Sequence, residues 1–341
     1  MLEIARHFFN FDRWLGAHPI GSGNINDTYR IDFERAGKLE TFVLQRLNHQ
    51  VFKNPEAVMT NIAKVTAWLE NSDFPYLCPA PIPTLEGSLY FLMDGNYWRV
   101  FPFLANTVTP EGNADPSTAY QAARAYGAFA HALCEFPASN LAETIPGFHD
   151  TDMRWTVFLQ TLERDPVGRV GDCEAEISRM FRAKPVFDEI SRLKKSGALP
   201  LRVTHNDTKA GNILFDSQSL QAVAVIDLDT VMPGVILSDF GDMVRTFVPT
   251  SREDSAEPVQ LRLDMLQSLT DGFLEQTGGF LTEIEKENLL LGGAWITGEQ
   301  ALRFLSDWLA GDMYYKIQYP EHNLVRAKNQ LDLFEALLVV S

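Results

Sequence analysis

The chain has 341 residues, 45% of them hydrophobic and 22% charged, a balance typical of a globular protein with a substantial core. Its formal net charge of −16 argues against a nucleic-acid binder, which would need a basic surface. No apolar run approaches the roughly 20 residues that span a bilayer, and the start "MLEIARHFFNFDRW" lacks the pattern of a signal peptide. Three widely spaced cysteines suit a reducing compartment. We therefore expect a cytoplasmic protein without membrane or nucleic-acid partners.

The first hundred residues are predicted to be rich in β-strands. Aromatic and β-branched residues, separated by Gly, Asn and charged turns, occupy four segments, at 26–33, 40–47, 88–93 and 97–104. Between the second and third of these, residues 55–72 carry apolar residues at helical spacing behind a proline. That pattern predicts a helix.

After a connector rich in Pro, Gly and Asn at residues 105–117, the pattern changes. Helices are predicted at 117–136, 151–163, 173–196, 255–276, 283–309 and 322–340. Short strands are predicted at 201–205, 213–216 and 222–227. We therefore predict an α+β fold of two lobes, a small β-rich lobe over residues 1–104 and a larger, mainly helical lobe over residues 105–341.

The segment "HNDTKAGN" places Asp207 and Asn212 at the spacing of the D-x-x-x-x-N in a kinase catalytic loop. In such a loop the carboxylate accepts the proton of an attacking hydroxyl, and the amide oxygen coordinates magnesium. Lys209 stands two places after the aspartate, where an ammonium can offset charge on a transferred phosphoryl group. The segment therefore predicts a phosphoryl-transfer site.

Two strand-like segments, "ILFD" and "AVAVID", can form a hairpin about a turn near residue 219. This hairpin would bring Asp227 opposite Asn212, about 5 Å away on the neighbouring strand, where both oxygens can share Mg²⁺. Asp229, on the same side of an extended chain, could reach a second metal. The rival is Asp239 in the literal "DFG", which lies 12 residues beyond Asp227 and past a Pro-Gly turn. We interpret Asp239, with Asp242 and Arg245, as a structural helix cap and ion pair, with a substrate contact as the alternative.

Near the N-terminus, Gly21, Ser22 and Gly23 precede a predicted strand. A glycine-rich turn of this kind can bring backbone N–H groups to phosphates, although a plain hairpin turn is the alternative. The catalytic-loop pattern downstream favours phosphate binding.

The order of these features resembles the aminoglycoside phosphotransferase/choline kinase group, small-molecule kinases with a protein-kinase-like fold. Within this group the chain most resembles the N-acetylhexosamine 1-kinases, over nearly its whole length. The phrases that carry the resemblance are "GSGNINDTY", "ASNLAETIPGFHDT", "LRVTHNDTKAGNIL", "VIDLDTVMPG", "SDFGDMVR" and "RFLSDWLAGDMYYKIQYPEHNLVR". The catalytic motifs are typical of the superfamily, whereas the longer phrases indicate the sugar kinases.

The resemblance implies an enzyme that uses ATP and Mg²⁺ to phosphorylate the anomeric hydroxyl of N-acetylglucosamine or N-acetylgalactosamine. It implies that Asp207 is the general base and that Asn212 and Asp227 bind the metal. The hinge residues expected to contact adenine through their backbone are Phe101, Phe103 and Ala105.

The same resemblance places Asn24, Arg303 and Tyr314 near the sugar. Arg303 and Tyr314 are eleven residues apart, about three helical turns, so one helix face could present both. Core packing for the tyrosine and an ordinary ion pair for the arginine are the alternatives.

One position departs from the kinase pattern. Protein kinases have a lysine after the hydrophobic triplet of the third strand, whereas "FVLQRL" puts Gln45 in that place with Arg46 beside it. Gln45 could contact the phosphates as a neutral donor, or Arg46 could substitute for the lysine. A third possibility is a nucleotide-binding pseudokinase.

A different acceptor class is also open, because choline and aminoglycoside kinases share the catalytic motifs. Those cationic acceptors call for an aromatic cage or a cluster of acids. Neither can be identified in the sequence as clearly as the sugar-kinase phrases.

Overall fold

The computed structural model describes residues 1–20, 25–110 and 114–340. The strands are β1 Arg13–Pro19, β2 Asp27–Arg35, β3 Lys38–Leu47, β4 Phe91–Met93, β5 Asn96–Pro102, β6 Thr107–Val108, β7 Arg202–Thr204, β8 Ile213–Asp216, β9 Ala222–Val225 and β10 Met232–Gly234. The helices are α1 Leu2–Ala5, α2 Pro55–Glu70, α3 Pro116–Ala132, α4 Thr151–Arg164, α5 Glu174–Lys195, α6 Ile236–Phe247, α7 Leu263–Thr277, α8 Glu283–Glu287, α9 Leu289–Leu309 and α10 His322–Val340. This distribution confirms the predicted α+β class.

The chain divides into two compact units that are not consecutive stretches of sequence. The first unit comprises residues 1–109, 135–146 and 212–233, and the second comprises 110–134, 147–211 and 234–341. The hairpin that follows the catalytic-loop motif thus groups with the N-terminal sheet. The predicted lobe boundary after residue 104 stays a prediction.

An antiparallel sheet in the order β1-β2-β3-β5-β4 forms the centre of the first unit. Alternation along β2 and β3 sends Ile31, Phe33 and Leu44 to one face, where they are almost fully buried. Phe8 and Phe9, which follow α1, cover this face. Burial of these aromatic side chains stabilises the sheet that carries Gln45 and the hinge.

Helix α9 lies at the centre of the second unit, where it packs against α4, α5, α6 and α10. Its approach to α6 is very close. A Cβ atom added to Gly241 of α6 would lie 2.3 Å from the carbonyl oxygen of Gly292 in α9. Only glycine permits this contact, so both glycines are needed for the packing that supports the α6 carboxylates.

Most predicted elements are confirmed, with boundary shifts of a few residues. The predicted helix at 283–309 is interrupted at Asn288, whose side chain donates to the Ile284 carbonyl at 2.7 Å and ends α8. The predicted helix at 255–276 begins only at Leu263. Strand β1 and helix α6 were not predicted. Helix α6 carries apolar residues on one side and the polar residues Ser238, Asp239, Asp242 and Arg245 on the other, and most of its residues are buried. Among the residues described, no helix is both long and apolar enough to cross a bilayer.

Candidate functional site

The predicted catalytic loop follows β7 in the second unit and is held by Asp239 of α6. The backbone N–H groups of His205 and Asn206 donate to the two oxygens of Asp239 at 2.9 and 2.8 Å. The Thr208 hydroxyl donates to the Asp239 carbonyl at 2.6 Å. Asn206 adopts a left-handed conformation with φ 62°, which turns the chain toward Asp207. The literal "DFG" aspartate is therefore the anchor of this loop.

Burial raises the pKa of the Asp239 carboxyl to about 6, although the neighbouring His205 and the two backbone donors oppose this shift. The side chain is only 3% exposed, so water does not solvate its charge. Both oxygens already accept backbone hydrogen bonds. Asp239 thus anchors a loop of the second unit, and the ion pair expected in this segment forms between Asp242 and Arg245. The choice between a structural role and a substrate contact for Asp239 stays a prediction.

Asp207 and Lys209 form an ion pair, with Nζ and Oδ2 2.7 Å apart. Their side chains keep 27% and 42% exposure, so the carboxylate is accessible to a ligand. The Lys209 carbonyl accepts a hydrogen bond from the Tyr126 hydroxyl at 2.8 Å. His205, fully buried against the rings of Tyr126 and Phe129, supports the same loop. The structure thus brings the two predicted catalytic side chains together.

Arg245 of α6 is a buried cation whose pKa is influenced by Asp207, the predicted general base. Its guanidinium contacts Asp242 at 2.8 Å and Glu253 at 2.5 Å. Burial alone would lower the pKa of Arg245, but these two carboxylates, with a further contribution from Asp207, raise it. Burial alone would lower the pKa of Arg303 and Arg245 acts in the same direction, but Tyr315, Glu299 and Tyr314 raise it.

The predicted hairpin is present in the first unit as β8 and β9. Ile213 pairs with Val225, and the Ile226 N–H donates to the Asn212 carbonyl at 3.0 Å. Asn212 therefore lies opposite Ile226, and Asp227 follows one residue later. The predicted pairing of Asp227 directly opposite Asn212 is wrong by one residue, because the register of β8 and β9, which shifts between Leu214 and Phe215, pairs Ile213 with Val225.

Asp227 has a left-handed backbone, with φ 63° and ψ 60°, and it leads into a 3-10 turn at Leu228–Thr230. Residues other than glycine adopt this conformation at a cost, and such residues concentrate at functional sites. Asn212, only 4% exposed, is on the neighbouring backbone. An amide and a carboxylate oxygen so placed suit Mg²⁺, which commonly takes its remaining ligands from phosphates and water. No cluster of three or more His, Cys, Asp or Glu side chains in the described parts offers a complete protein cage.

Asp229, the predicted second metal ligand, is only 3% exposed and faces Arg99 of β5. Arg99 Nη1 lies 2.6 Å from Oδ1, and Nη2 donates to Oδ2 at 2.8 Å. The Asn26 amide also donates to Oδ2, at 2.7 Å. A metal ion at Asp229 would therefore have to compete with a buried cation, and its metal role stays a prediction.

Gln45 lies beside Arg99 on the neighbouring strand, whereas Arg46 points to the opposite face. The Gln45 Oε1 accepts from Arg99 Nε at 3.1 Å and Nη2 at 2.9 Å, and its Nε2 donates to Thr28 at 3.1 Å. Arg46 forms an exposed ion pair with Asp27. The positive charge next to the lysine position thus comes from Arg99. The sequence does contain an indication that Arg99 supplies this charge. It lies inside the apolar run "YWRVF", and an arginine buried in such a strand requires partners.

The predicted hinge residues lie at the end of β5 and just after it. The Phe101 ring packs 5.1 Å from the Arg99 guanidinium, and Phe103 lies 5.3 Å from that of Arg30. Ala105 is exposed in the turn that follows. Their predicted contact with adenine stays a prediction. Gly21, Ser22, Gly23 and Asn24 lie outside the described residues.

Arg303 projects from α9 among aromatic rings. Its guanidinium lies 5.3 Å from the ring of Phe148, 5.6 Å from Tyr315 and 6.0 Å from Tyr314, and Nη1 donates to Gln300 at 3.1 Å. Within the described ranges no carboxylate forms an ion pair with it. The predicted single helix face is wrong, because α9 ends at Leu309. The loop returns Tyr314 to Arg303 because Asp307 accepts the Tyr314 N–H at 2.8 Å.

A buried carboxylate, Glu299, lies one turn before Arg303 on α9. It contacts His149 Nδ1 at 2.8 Å, accepts from the Thr151 hydroxyl at 2.5 Å and lies 3.6 Å from Arg154. Burial alone would raise the pKa of Glu299, but His149, Arg154 and Thr151 together lower it to about 2. The sequence analysis did not identify this cluster, since its members are about 150 residues apart.

Replacement of Glu299 by Gln should therefore destabilise the protein in a pH-dependent manner. A lowered pKa stabilises the folded state above the usual glutamate pKa, and this contribution disappears as the pH falls toward 2. We expect a loss of about 3 kcal/mol at pH 7 that shrinks progressively below about pH 4.5. Urea unfolding at pH 7 and pH 3 measures this loss of stability. Glu189→Gln, which changes an exposed side chain of α5, is the control. Equal losses at both pH values would contradict the role of the ionised carboxylate.

Comparison with known proteins places these features in a family. The sequence profile of the phosphotransferase enzyme family matches residues 16–270, well over half of the chain. The structure is similar to that of a microcompartment-associated aminopropanol kinase, with a TM-score of 0.70 and 19% identity over 100% of this chain and 98% of that one.

Two further structures have the same fold. A spectinomycin phosphotransferase in complex with ADP and spectinomycin gives a TM-score of 0.61 at 14% identity, over 96% of this chain and 94% of that one. Choline kinase from Cryptosporidium parvum Iowa II gives 0.55 at 13% identity, over 95% and 90% of the two chains. The predicted protein-kinase-like architecture is therefore confirmed.

Proposed function

Because the chain belongs to the phosphotransferase enzyme family, we propose that it is a small-molecule kinase that transfers the γ-phosphate of ATP to the anomeric hydroxyl of an N-acetylhexosamine. In this proposal Asp207 is the general base, and Lys209 offsets charge on the phosphoryl group. Asn212 and Asp227 hold Mg²⁺, which when bound neutralises charge on the phosphates. The family membership carries the kinase activity, and the residues around Arg303 support the choice of acceptor.

The chemistry assigned to Asp207 is proton acceptance from a positioned hydroxyl. Its carboxylate is partly exposed, and its loop is held by two backbone hydrogen bonds to Asp239, so the acid has a defined position. An anomeric hydroxyl is more acidic than an ordinary alcohol, which makes it an easier partner for a carboxylate base. The Lys209 ammonium, 2.7 Å from Asp207 Oδ2, supplies positive charge beside this carboxylate.

The single observation that favours a sugar over a cationic alcohol is the positive charge of Arg303 among the aromatic rings. Three aromatic rings, which could otherwise receive a cation, face this guanidinium. A choline-like or aminoglycoside-like acceptor placed here would meet a positive charge that no carboxylate pairs with among the described residues. A neutral sugar instead offers hydroxyl and acetamide oxygens, which accept hydrogen bonds from the remaining guanidinium donors.

A kinase of an amino alcohol is the second candidate, because the structural neighbours include an aminopropanol kinase and a choline kinase. A pseudokinase is less well supported. The argument for it was the missing strand lysine, and Arg99 provides a positive charge adjacent to Gln45.

We expect free N-acetylhexosamine to be phosphorylated at the anomeric oxygen, and its methyl glycoside to be inert because the reactive hydroxyl is blocked. Phosphate transfer from ATP to free hexosamines, methyl glycosides, choline, aminopropanol and aminoglycosides, with NMR location of the phosphate, tests this directly. Efficient transfer to the methyl glycoside, or a preference for a cationic acceptor, would contradict the proposal.

The role of Arg303 is tested in the same assay by Arg303→Met. Removal of one charged hydrogen-bond donor should lower kcat/KM for the sugar by about 10- to 100-fold and leave the KM for ATP nearly unchanged. Arg192→Met, which removes an exposed arginine paired with Glu189 on α5, is the matched control. An equal effect of both variants would assign Arg303 no part in acceptor binding.

A further inference from the structure

Arg99 is an unusual residue for the second-last strand of a sheet. Its side chain is 2% exposed, yet it carries a full charge in the middle of β5, between Trp98 and Val100, which are both buried. A buried guanidinium is unfavourable unless its charge and its donors are matched. The partners that match it therefore indicate why it is there.

Those partners come from three segments of the first unit. Nη2 donates to Asp229 Oδ2 at 2.8 Å, and Nη1 lies 2.6 Å from Oδ1. Nη2 and Nε both donate to Gln45 Oε1, at 2.9 and 3.1 Å. Nη1 also lies 3.6 Å from the Met59 sulfur of α2. The planar guanidinium of Arg99 thus contacts β3 through Gln45, α2 through Met59 and the 228–230 turn through Asp229, and the ammonium of a lysine lacks this planar geometry.

The carboxylate of Asp229 connects this cation to two functional segments. Asp229 lies two residues after Asp227, in the 3-10 turn that begins where Asp227 adopts its left-handed conformation. Asn26, at the start of the segment that leads into β2, donates to the same carboxylate at 2.7 Å and accepts from the Asn48 N–H at 3.0 Å. The turn that carries the metal ligand and the strand that follows the glycine-rich segment are therefore anchored at one buried ion pair.

We propose that Arg99 is a positioning residue for metal-dependent nucleotide binding, and that Asp229 acts as its counter-ion and not as a metal ligand. Arg99 holds the 228–230 turn so that Asp227 keeps its left-handed conformation, and it orients the Gln45 amide through Oε1. This assignment rests on the proposed function, because it takes Asp227 as the ligand of Mg²⁺. It also accounts for the glutamine at the lysine position, since a lysine there would be placed beside the buried Arg99 charge.

The two readings of Asp229 predict opposite results for Arg99→Met. If Asp229 is a metal ligand, removal of the competing guanidinium frees Oδ1 and leaves only the Asn26 donor on Oδ2, so metal-dependent binding should be unchanged or stronger. If Arg99 positions the turn, the same substitution should weaken it. Calorimetric titration of the full-length protein with ADP, once with MgCl₂ and once with EDTA, measures the gain in affinity due to the metal.

We expect Arg99→Met to reduce the Mg²⁺-dependent gain in ADP affinity by about 10- to 100-fold, the range typical of residues that orient metal ligands. Metal-free ADP binding should change much less, because Asp227 is not then required as a metal ligand. Arg99→Lys should give an intermediate loss, since an ammonium keeps the positive charge but lacks the planar fork that meets Asp229 and Gln45 together. If Arg99→Met does not fold, the lysine variant decides, and a full wild-type gain in it overturns the proposal.

Two control variants separate the possible causes. Arg179→Met removes ion pairs to Asp332 and Glu335 between α5 and α10 and should keep the full Mg²⁺-dependent gain. A loss there as well would assign the effect of Arg99→Met to general destabilisation and overturn the proposal.

Asp227→Gly removes the carboxylate while glycine accepts the left-handed backbone without strain. If Asp227→Gly keeps the gain, the proposed metal site fails. If Asp227→Gly loses it and Arg99→Met does not, only the role of Arg99 fails.

Discussion

Asp207→Asn should lower kcat by about 10²–10⁴-fold, or roughly 3–5 kcal/mol of barrier, while the protein remains folded. The amide keeps the size of the carboxylate and much of its hydrogen bonding, but it cannot accept the proton of the attacking hydroxyl. The loop that carries it should persist, because His205 and Asn206 remain bonded to Asp239. Nucleotide affinity should change far less than the rate, since Asn212 and Asp227 are intact.

The measurement that checks this expectation compares kcat with calorimetric binding of Mg-ADP and of the sugar in the same preparation. Lys209→Met is a useful companion, because it removes the partner of Asp207 and leaves the carboxylate. Near-normal kcat in Asp207→Asn would remove this residue from the role of base. Loss of nucleotide binding together with the rate would instead make it a metal ligand or a structural residue.

Asp227→Ala should abolish turnover, with a loss of about 10³-fold or more, because a ligand of the charge-neutralising metal is removed. Asp239→Ala should act mainly on stability. It leaves the N–H groups of His205 and Asn206 without their buried acceptor, at a cost of about 1–3 kcal/mol for each. Replacement of Asp227 should thus change turnover, whereas replacement of Asp239 should change the free energy of unfolding.

Urea unfolding and the Mg²⁺-dependence of ADP binding distinguish the two variants. The Asp239 variant should lose stability and keep Mg²⁺-dependent ADP binding. The Asp227 variant should keep its stability and lose Mg²⁺-dependent ADP binding. Asp227→Gly repeats the test without backbone strain at a residue whose φ is 63°. A folded Asp239→Ala protein without activity, beside an active Asp227→Ala protein, would show that the "DFG" aspartate is the metal ligand after all.

Residues close together in the sequence were the ones whose arrangement could be predicted. Asp207 and Lys209 are two positions apart, and a hairpin of about a dozen residues joins Asn212 to Asp227. In both cases the loop or hairpin itself determines the proximity. The error of one residue in the hairpin lies in the register of β8 and β9, which shifts between Leu214 and Phe215, an irregularity that the strand pattern alone does not reveal.

The sequence by itself determined the α+β class and the catalytic-loop and hairpin motifs, because local spacing and hydrophobic pattern are sufficient for these. The different roles of Asp227 and Asp239 stay predictions. Only the tertiary structure decided which partners satisfy the buried charges. Arg99 meets Asp229 across 130 residues, Glu299 meets His149 across 150, and Asp239 meets the catalytic loop 33 residues earlier. A buried charge must find a partner, but local spacing does not specify which one. Chain packing brings distant segments together, and that packing selects the partner.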